Sequence, residues 1–279
     1  MKKIAVIPNI TKDKELIYAR KTVEYLKNKA SLYMDRCYEQ YGFDVTFADE
    51  EIYSFVDFAI VLGGDGTILE VAEQCAKGDV PILGINLGTI GFMSEVEPEN
   101  IESAMDKLLS DDFNVQNRMM MRVEVYKNDV CDGVYHALND VVISKHIESR
   151  LIHYKLYSND ELVNTYTADG MIIATPTGST AYSLSAGGPV VDPLMTLFVA
   201  TPICPHMLTA RPAIVSADKT VTLQLDKNYR YEASVSIDGG VKAHIQYGDK
   251  VVITKSGYIT KLIKISNQSF YDTLIMKLL

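Results

Sequence analysis

The sequence predicts an α/β N-terminal domain built on a parallel sheet, followed by an all-β, sandwich-like C-terminal domain. Three observations carry this. Short apolar runs alternate with helix-period segments through the first 110 residues or so, as in successive βαβ units. Phe58-Ala59-Ile60-Val61-Leu62 is a continuous apolar run that halts at Gly63, as a strand buried on both faces does. After about Phe113 the helical period gives way to short strand-like runs. Turn-formers such as Asn128-Asp129, Asn159-Asp160, Asp238-Gly239 and Gly248-Asp249 separate many of them, the rhythm of a double sheet.

In chain order, 3–7 reads as a strand. A helix follows over 13–29, with Leu16, Ala19, Val23 and Leu26 at helical spacing and a continuation toward Gln40. Residues 44–47 and 58–62 read as strands, 67–76 as a helix ending at Lys77-Gly78, 80–85 as a strand and 101–109 as a helix; the cation and glycine are ordinary helix-stop signals. In the second part, 122–126, 141–144, 153–157, 171–174, 221–225, 234–237 and 251–254 are strand-like. The boundary is placed at 112–118, giving domains 1–113 and 114–261, with 262–279 returning to the first.

Charge narrows the function classes. Lys and Arg total 27 against 36 Asp and Glu, a net −9, which argues against a nucleic-acid binder, since those carry a basic stripe. No apolar run approaches the roughly 20 residues of a membrane helix, so no membrane partner is expected. Ile4-Ala5-Val6-Ile7 ends at Pro8-Asn9, too short for a secretory leader. Cys37, Cys75, Cys131 and Cys204 are scattered without a CxxC pair. That pattern fits reduced thiols in the cytoplasm and no metal cage.

The strongest local signal is Gly63-Gly64-Asp65-Gly66-Thr67, between a buried strand and a helix. There the glycine N–H groups and the helix N-terminus can receive phosphate oxygens. It is neither a Walker A loop nor a GxGxxG fingerprint. Asp65 is suited to orient a hydroxyl nucleophile or to hold Mg²⁺ beside it; an acidic cap on a tight turn is the plainer alternative. A second glycine-bearing loop, 84–92, follows the next strand, and its Phe92 reads more readily as core than as a ligand platform. Asn139-Asp140 offers an adenine-reading amide and a ribose-binding carboxylate, or an ordinary Asx turn. Asp169 is a further acid before a strand. The stretch 175–189 is dense in hydroxyls, costly to bury without partners, and a polar ligand is one source of them.

Together these segments resemble the NAD kinase family. The runs at 63–67, 87–92, 139–140 and 178–182, with Thr201-Pro202-Ile203-Cys204-Pro205-His206 and Ala210-Arg211-Pro212, stand in family order and spacing over about residues 1–265. The glycine run alone is shared with diacylglycerol and sphingosine kinases and, loosely, with phosphofructokinases. The resemblance implies an N-terminal fold like theirs and transfer of the ATP γ-phosphoryl group to the adenosine ribose 2′-hydroxyl of NAD. It implies Asp65 as proton acceptor, Gly66 against the dinucleotide, and Gly63, Gly64 and Thr67 as the ATP phosphate cradle. Asn139 and Asp140 would hold adenosine, with Thr180, Ala181, Tyr182 and Ser185 lining the pocket and Phe92, Arg150 and Asp169 as further binding residues. Mg²⁺ or another divalent cation would come with ATP, and the assembly would be a homodimer or homotetramer. Glu70 and Thr167 stand where many members carry a basic residue, and Gly240 where many carry glutamine. A lipid kinase sharing the glycine run and a non-catalytic NAD(P) sensor are the rival readings.

Overall fold

The computed structural model describes residues 1–89, 91–146, 151–228, 232–266 and 268–278. It forms two units, 1–118 with 258–279 and 119–257. The first begins with β1 (Lys3–Pro8), α1 (Ile17–Leu26), β2 (Ser31–Asp35) and β3 (Thr46–Ala48). It continues with β4 (Phe58–Gly63), α2 (Asp65–Lys77), β5 (Ile82–Asn86) and α3 (Ile101–Leu109). Strand order is β5-β4-β1-β2-β3, all parallel. Strand periodicity divides the side chains between two faces. Ile4, Val6, Ile60, Leu62, Leu83 and Ile85 pack with the buried residues of α1 and α3. On the opposite face Gly84 lies under Ile68 of α2, where an added Cβ would fall 2.7 Å from Ile68 Cδ1. Helices therefore cover both faces of the sheet.

The expected continuation of the first helix toward Gln40 is not observed. Alternating burial of Leu32 and Met34 makes 31–35 a strand, and 36–41 form only a short 3₁₀ turn. The helix also starts later than expected. The buried Asp13 carboxylate accepts the N–H groups of Tyr18 and Ala19, at 3.0 and 2.8 Å, after a left-handed step at Glu15 and Leu16.

The second unit is all β apart from short turns. Its strands are β6 (Asn114–Lys127, entering from the first unit), β7 (Val130–Ala137), β8 (Asp140–Lys145), β9 (Ile152–Ser158), β10 (Glu161–Ala168) and β11 (Gly170–Ala174). After a helical turn, α4 (Tyr182–Ser185), come β12 (Leu197–Ile203), β13 (Ala213–Ser216), β14 (Val221–Leu225), β15 (Glu232–Ile237), β16 (Gly240–Gln246) and β17 (Lys250–Lys264). One sheet runs β13-β12-β11-β8-β15-β16; across the core lie β10-β9-β14-β17 and the β6–β7 hairpin. Val141, Ile143, Met171, Ile173 and Phe198 of the first layer meet Val123, Tyr154, Leu156 and Leu223 of the second in one cluster. That is sandwich packing.

β17 ends in the first unit, where Leu262 pairs with Ile82, and α5 (Phe270–Leu278) closes the chain. Six strands were not read from the sequence: β2, which was expected to be helical, and β7, β10, β12, β13 and β16 of the second unit. No helix among the described residues is long and apolar enough to cross a membrane.

Candidate active site

Sheet register sets the phosphate end. Pro8 pairs with Leu62, and Gly63 with Asn86. Three loops, 9–13, 63–67 and 86–96, therefore leave the sheet side by side at its carboxyl end, where α/β proteins bind ligands. Gly64 is the extended residue before α2 and Asp65 is the helix's first residue. The Thr67 N–H turns back to the Gly64 carbonyl at 2.9 Å, whereas the Asp65 and Gly66 N–H groups at the start of the helix have no acceptor within it, and the helix dipole favours an anion beside them. A Cβ on Gly63 would fall 2.3 Å from Thr67 Oγ1, whereas Gly66 is exposed with open space above it. The buried Thr67 hydroxyl accepts from Asn9 Nδ2 at 2.8 Å, which braces the turn against the first loop.

Asp65 does not cap its own helix; its side chain crosses to the neighbouring loop. Oδ2 accepts the Phe92 N–H at 2.7 Å. Oδ1 accepts the N–H groups of Met93 and Ser94, both at 3.1 Å, and the Ser94 hydroxyl at 3.4 Å. Gly91 is required beside it, because a Cβ there would fall 2.0 Å from Oδ1. Of about four acceptor positions on a carboxylate, these bonds leave one on Oδ2. A half-buried carboxylate held rigidly with one acceptor position open is equipped to receive one further proton donor.

The second unit carries the nucleotide-reading candidates. Asp238 accepts the N–H groups of Leu138, Asn139 and Asp140 at 2.7, 2.8 and 3.0 Å. This pins the turn that presents the Asn-Asp pair. Among the described residues Asn139 Oδ1 is buried without a hydrogen-bond partner, a state that costs about 1–3 kcal/mol and suits it to accept from a ligand. Asp140 is buried, and burial first, then the Asp238 charge, pushes its carboxyl up to about 7. The loop after β11 lies on this turn. The Thr175 N–H donates to the Asn139 carbonyl at 2.8 Å, and a Cβ on Gly178 would fall 2.1 Å from that oxygen.

The hydroxyl-rich stretch differs from expectation in one respect. Thr175 donates to the Leu138 carbonyl, Ser179 to those of Pro176 and Val191, and Ser183 pairs with Thr201. The protein itself satisfies these buried hydroxyls. Tyr182 and Ser185 are exposed, and Thr180 and Ala181 are half-buried beside them, so the pocket-lining candidates form the accessible rim of the loop.

Phe92 is half-buried against Phe270 of α5, with ring centroids 5.7 Å apart, and Lys277 Nζ lies 4.5 Å from its ring centre. Asp169 forms an ion pair with Lys145 at 2.6 Å. Arg150 lies outside the described residues. Thr167, in a place where arginine is frequent, instead pairs its hydroxyl with His153 Nδ1 at 2.9 Å, and Glu70 is exposed on α2. Sequence reasoning missed Asn9 and Asp238. Asn9 sat in what read as a strand end, and Asp238 read as a turn residue. Among the described residues there is no cluster of three or more His, Cys, Asp or Glu able to hold a metal.

A Gly-Gly-Asp-Gly-Thr turn between a buried strand and a helix at the carboxyl end of a parallel sheet, in a chain whose second unit is a β sandwich, is the arrangement of a nucleotide-dependent phosphotransferase. Residues 6–113 match the ATP-NAD kinase N-terminal domain and 138–265 the ATP-NAD kinase C-terminal domain, and the chain belongs to the ATP-NAD kinase family. It is 43% identical to an NAD kinase of Caldanaerobacter subterraneus subsp. tengcongensis, over 100% of this chain and 99% of that one. It is 42% identical to one of Thermoanaerobacter sp. strain X514, with the same coverage. Among solved structures, the NAD kinase from Archaeoglobus fulgidus in complex with ATP superposes with TM-score 0.75 at 26% identity, over 99% of this chain and 98% of that chain. The yeast NADH kinase complexed with NADH shares the fold, with TM-score 0.89 at 23% identity over 99% and 86%.

Proposed function

We infer that the protein is an NAD kinase, transferring the γ-phosphoryl group of ATP to the 2′-hydroxyl of the adenosine ribose of NAD to give NADP and ADP. The observation that carries this is Asp65: a carboxylate fixed at the mouth of a glycine cradle, with one acceptor position open. Family membership supports it, and neither the lipid kinase nor the sensor reading gains support from the comparisons.

Phosphoryl transfer has a loose transition state, so catalysis is mainly alignment and charge neutralisation. Holding hydroxyl and phosphate in line contributes about 7–11 kcal/mol in favourable cases. Gly63, Gly64 and the first turn of α2 receive the donor's phosphates. Asp65 accepts the hydroxyl proton through Oδ2, a contribution on the order of 10²–10⁴-fold for a positioned base, and Gly66 lies against the dinucleotide. Asn139 reads adenine with its unpaired Oδ1, Asp140 takes the ribose hydroxyls, and the 180–185 rim borders the nucleotide. Phe92, Asp169 and Arg150 are its further contacts. Mg²⁺ or another divalent cation, arriving with ATP, would supply charge neutralisation at the phosphates. A homodimer or homotetramer is consistent with exposed Ile214 and Val241 on the edge strands β13 and β16 of the second unit, since exposed edges are ready to pair with another chain. A cytoplasmic location is consistent with the four free cysteines, as thiols stay reduced there.

The test is incubation of the purified protein with MgATP and NAD, assaying NADP and ADP, alongside arms with polyphosphate as donor and diacylglycerol as acceptor. NADP and ADP in equal amounts are expected, with no phosphorylated lipid. NAD binding without ADP release would instead identify a sensor, and lipid phosphorylation a lipid kinase.

A further inference from the structure

We propose that Lys12 is a phosphate-binding residue of the donor site, supplying the cation that the glycine turn itself lacks; this rests on the NAD kinase reading. The 63–67 turn contains no basic residue, and the nearest side chain on the exposed face of α2's first two turns, Glu70, is acidic. Lys12 comes from a different loop, and its position follows from sheet register. Because Pro8 pairs with Leu62, the chain leaving β1 runs beside the glycine turn.

Asn9 then fastens the two loops. Its N–H donates to the Leu62 carbonyl at 2.8 Å, its Nδ2 donates to Thr67 Oγ1 at 2.8 Å, and its Oδ1 accepts the N–H groups of Thr11 and Lys12 at 3.0 and 3.1 Å. The next residue, Asp13, is buried and caps α1, so Lys12 is fixed from both sides along the backbone.

Its side chain lies over Gly64: a Cβ built on that glycine would fall 2.6 Å from Lys12 Nζ. The ammonium thus stands beside the extended residue whose following N–H groups open α2. Glycine at 64 is what allows this approach, since any side chain there would displace the lysine. Among the described residues no carboxylate pairs with Lys12, although Lys2, Lys21, Lys27 and Lys29 of the same unit all have one. An exposed ammonium without a carboxylate partner, above a row of N–H donors, is suited to a polyanion. Lysine acts there as a compact point charge with three donors.

The measurement is MgATP and tripolyphosphate binding by calorimetry, with steady-state kinetics, for wild type, Lys12→Met and Lys12→Arg. Lys12→Met is expected to weaken binding of both and to lower kcat/KM for ATP by about 10- to 100-fold, the loss of one charge-assisted hydrogen bond. KM for NAD and the thermal midpoint should stay unchanged, and Lys12→Arg should recover most of the loss. Unchanged ATP and tripolyphosphate affinity in Lys12→Met, or a loss confined to KM for NAD, would overturn the proposal. A wild type that binds MgATP and loses it in Lys12→Met, yet forms no NADP, would uphold the role of Lys12 while refuting the kinase reading.

Discussion

Single residues in this protein are explained by what their polar atoms touch. Asn139 and Asp140 are adjacent, yet one side chain is left with an unpaired buried oxygen and the other with a carboxyl raised by burial and by Asp238. The second fact has a pH consequence. Asp140 binds its proton more tightly in the folded chain than in the unfolded one, whose carboxyl has the ordinary value of 3.8. Between about pH 4 and pH 7 the folded state therefore holds more protons, and stability falls as pH rises, by at most about 1.4 kcal/mol per pH unit for one group. Asp140→Asn removes that slope. Urea midpoints across this range should decline less with pH in the variant than in the wild type; parallel profiles would contradict the assignment. The sequence showed the Asn-Asp pair but not its anchor, because Asp238 lies about a hundred residues away and its bonds go to backbone N–H groups, which leave no pattern in side-chain chemistry.

At the scale of elements, the glycine turn after β4 and the loop after β5 work as one piece, tied by Asp65. Both loops were legible, since each follows a buried apolar strand, and their adjacency followed from a parallel sheet. The tie itself was not legible, because a carboxylate bonded to Phe92, Met93 and Ser94 N–H groups looks, in sequence, like any acidic residue in a turn. Gly91→Ala tests this tie. A Cβ 2.0 Å from Asp65 Oδ1 and 2.3 Å from Ser94 Oγ must push the carboxylate away, at a cost of about 1–3 kcal/mol for overpacking. A lower thermal midpoint together with reduced NADP formation is expected; wild-type values for both would show that the loop tolerates separation from Asp65. Element boundaries were recovered best where burial was complete, as in β4, and worst in the second unit. There, the edge strand β13 is largely exposed, and β16, although Val241, Ala243 and Ile245 alternate with polar residues, buries only Ala243 and Ile245.

The whole molecule divides its chemistry between two units with separate cores. The glycine turn, Lys12 and Asp65 belong to the first; Asn139, Asp140 and the 175–185 loop belong to the second. With a net charge of −9, the proposed phosphate binding has to be local, and the glycine turn with Lys12 over Gly64 is the place proposed for it. The proposed roles assign proton transfer to the first unit and adenosine binding to the second, and Asp65→Asn measures this most directly. With NAD affinity followed by calorimetry and turnover by NADP formation, the variant is expected to bind NAD within a few-fold of wild type and to lose on the order of 10²–10⁴-fold in kcat. Wild-type turnover in Asp65→Asn would contradict the assignment of this carboxylate as the group that takes the ribose proton.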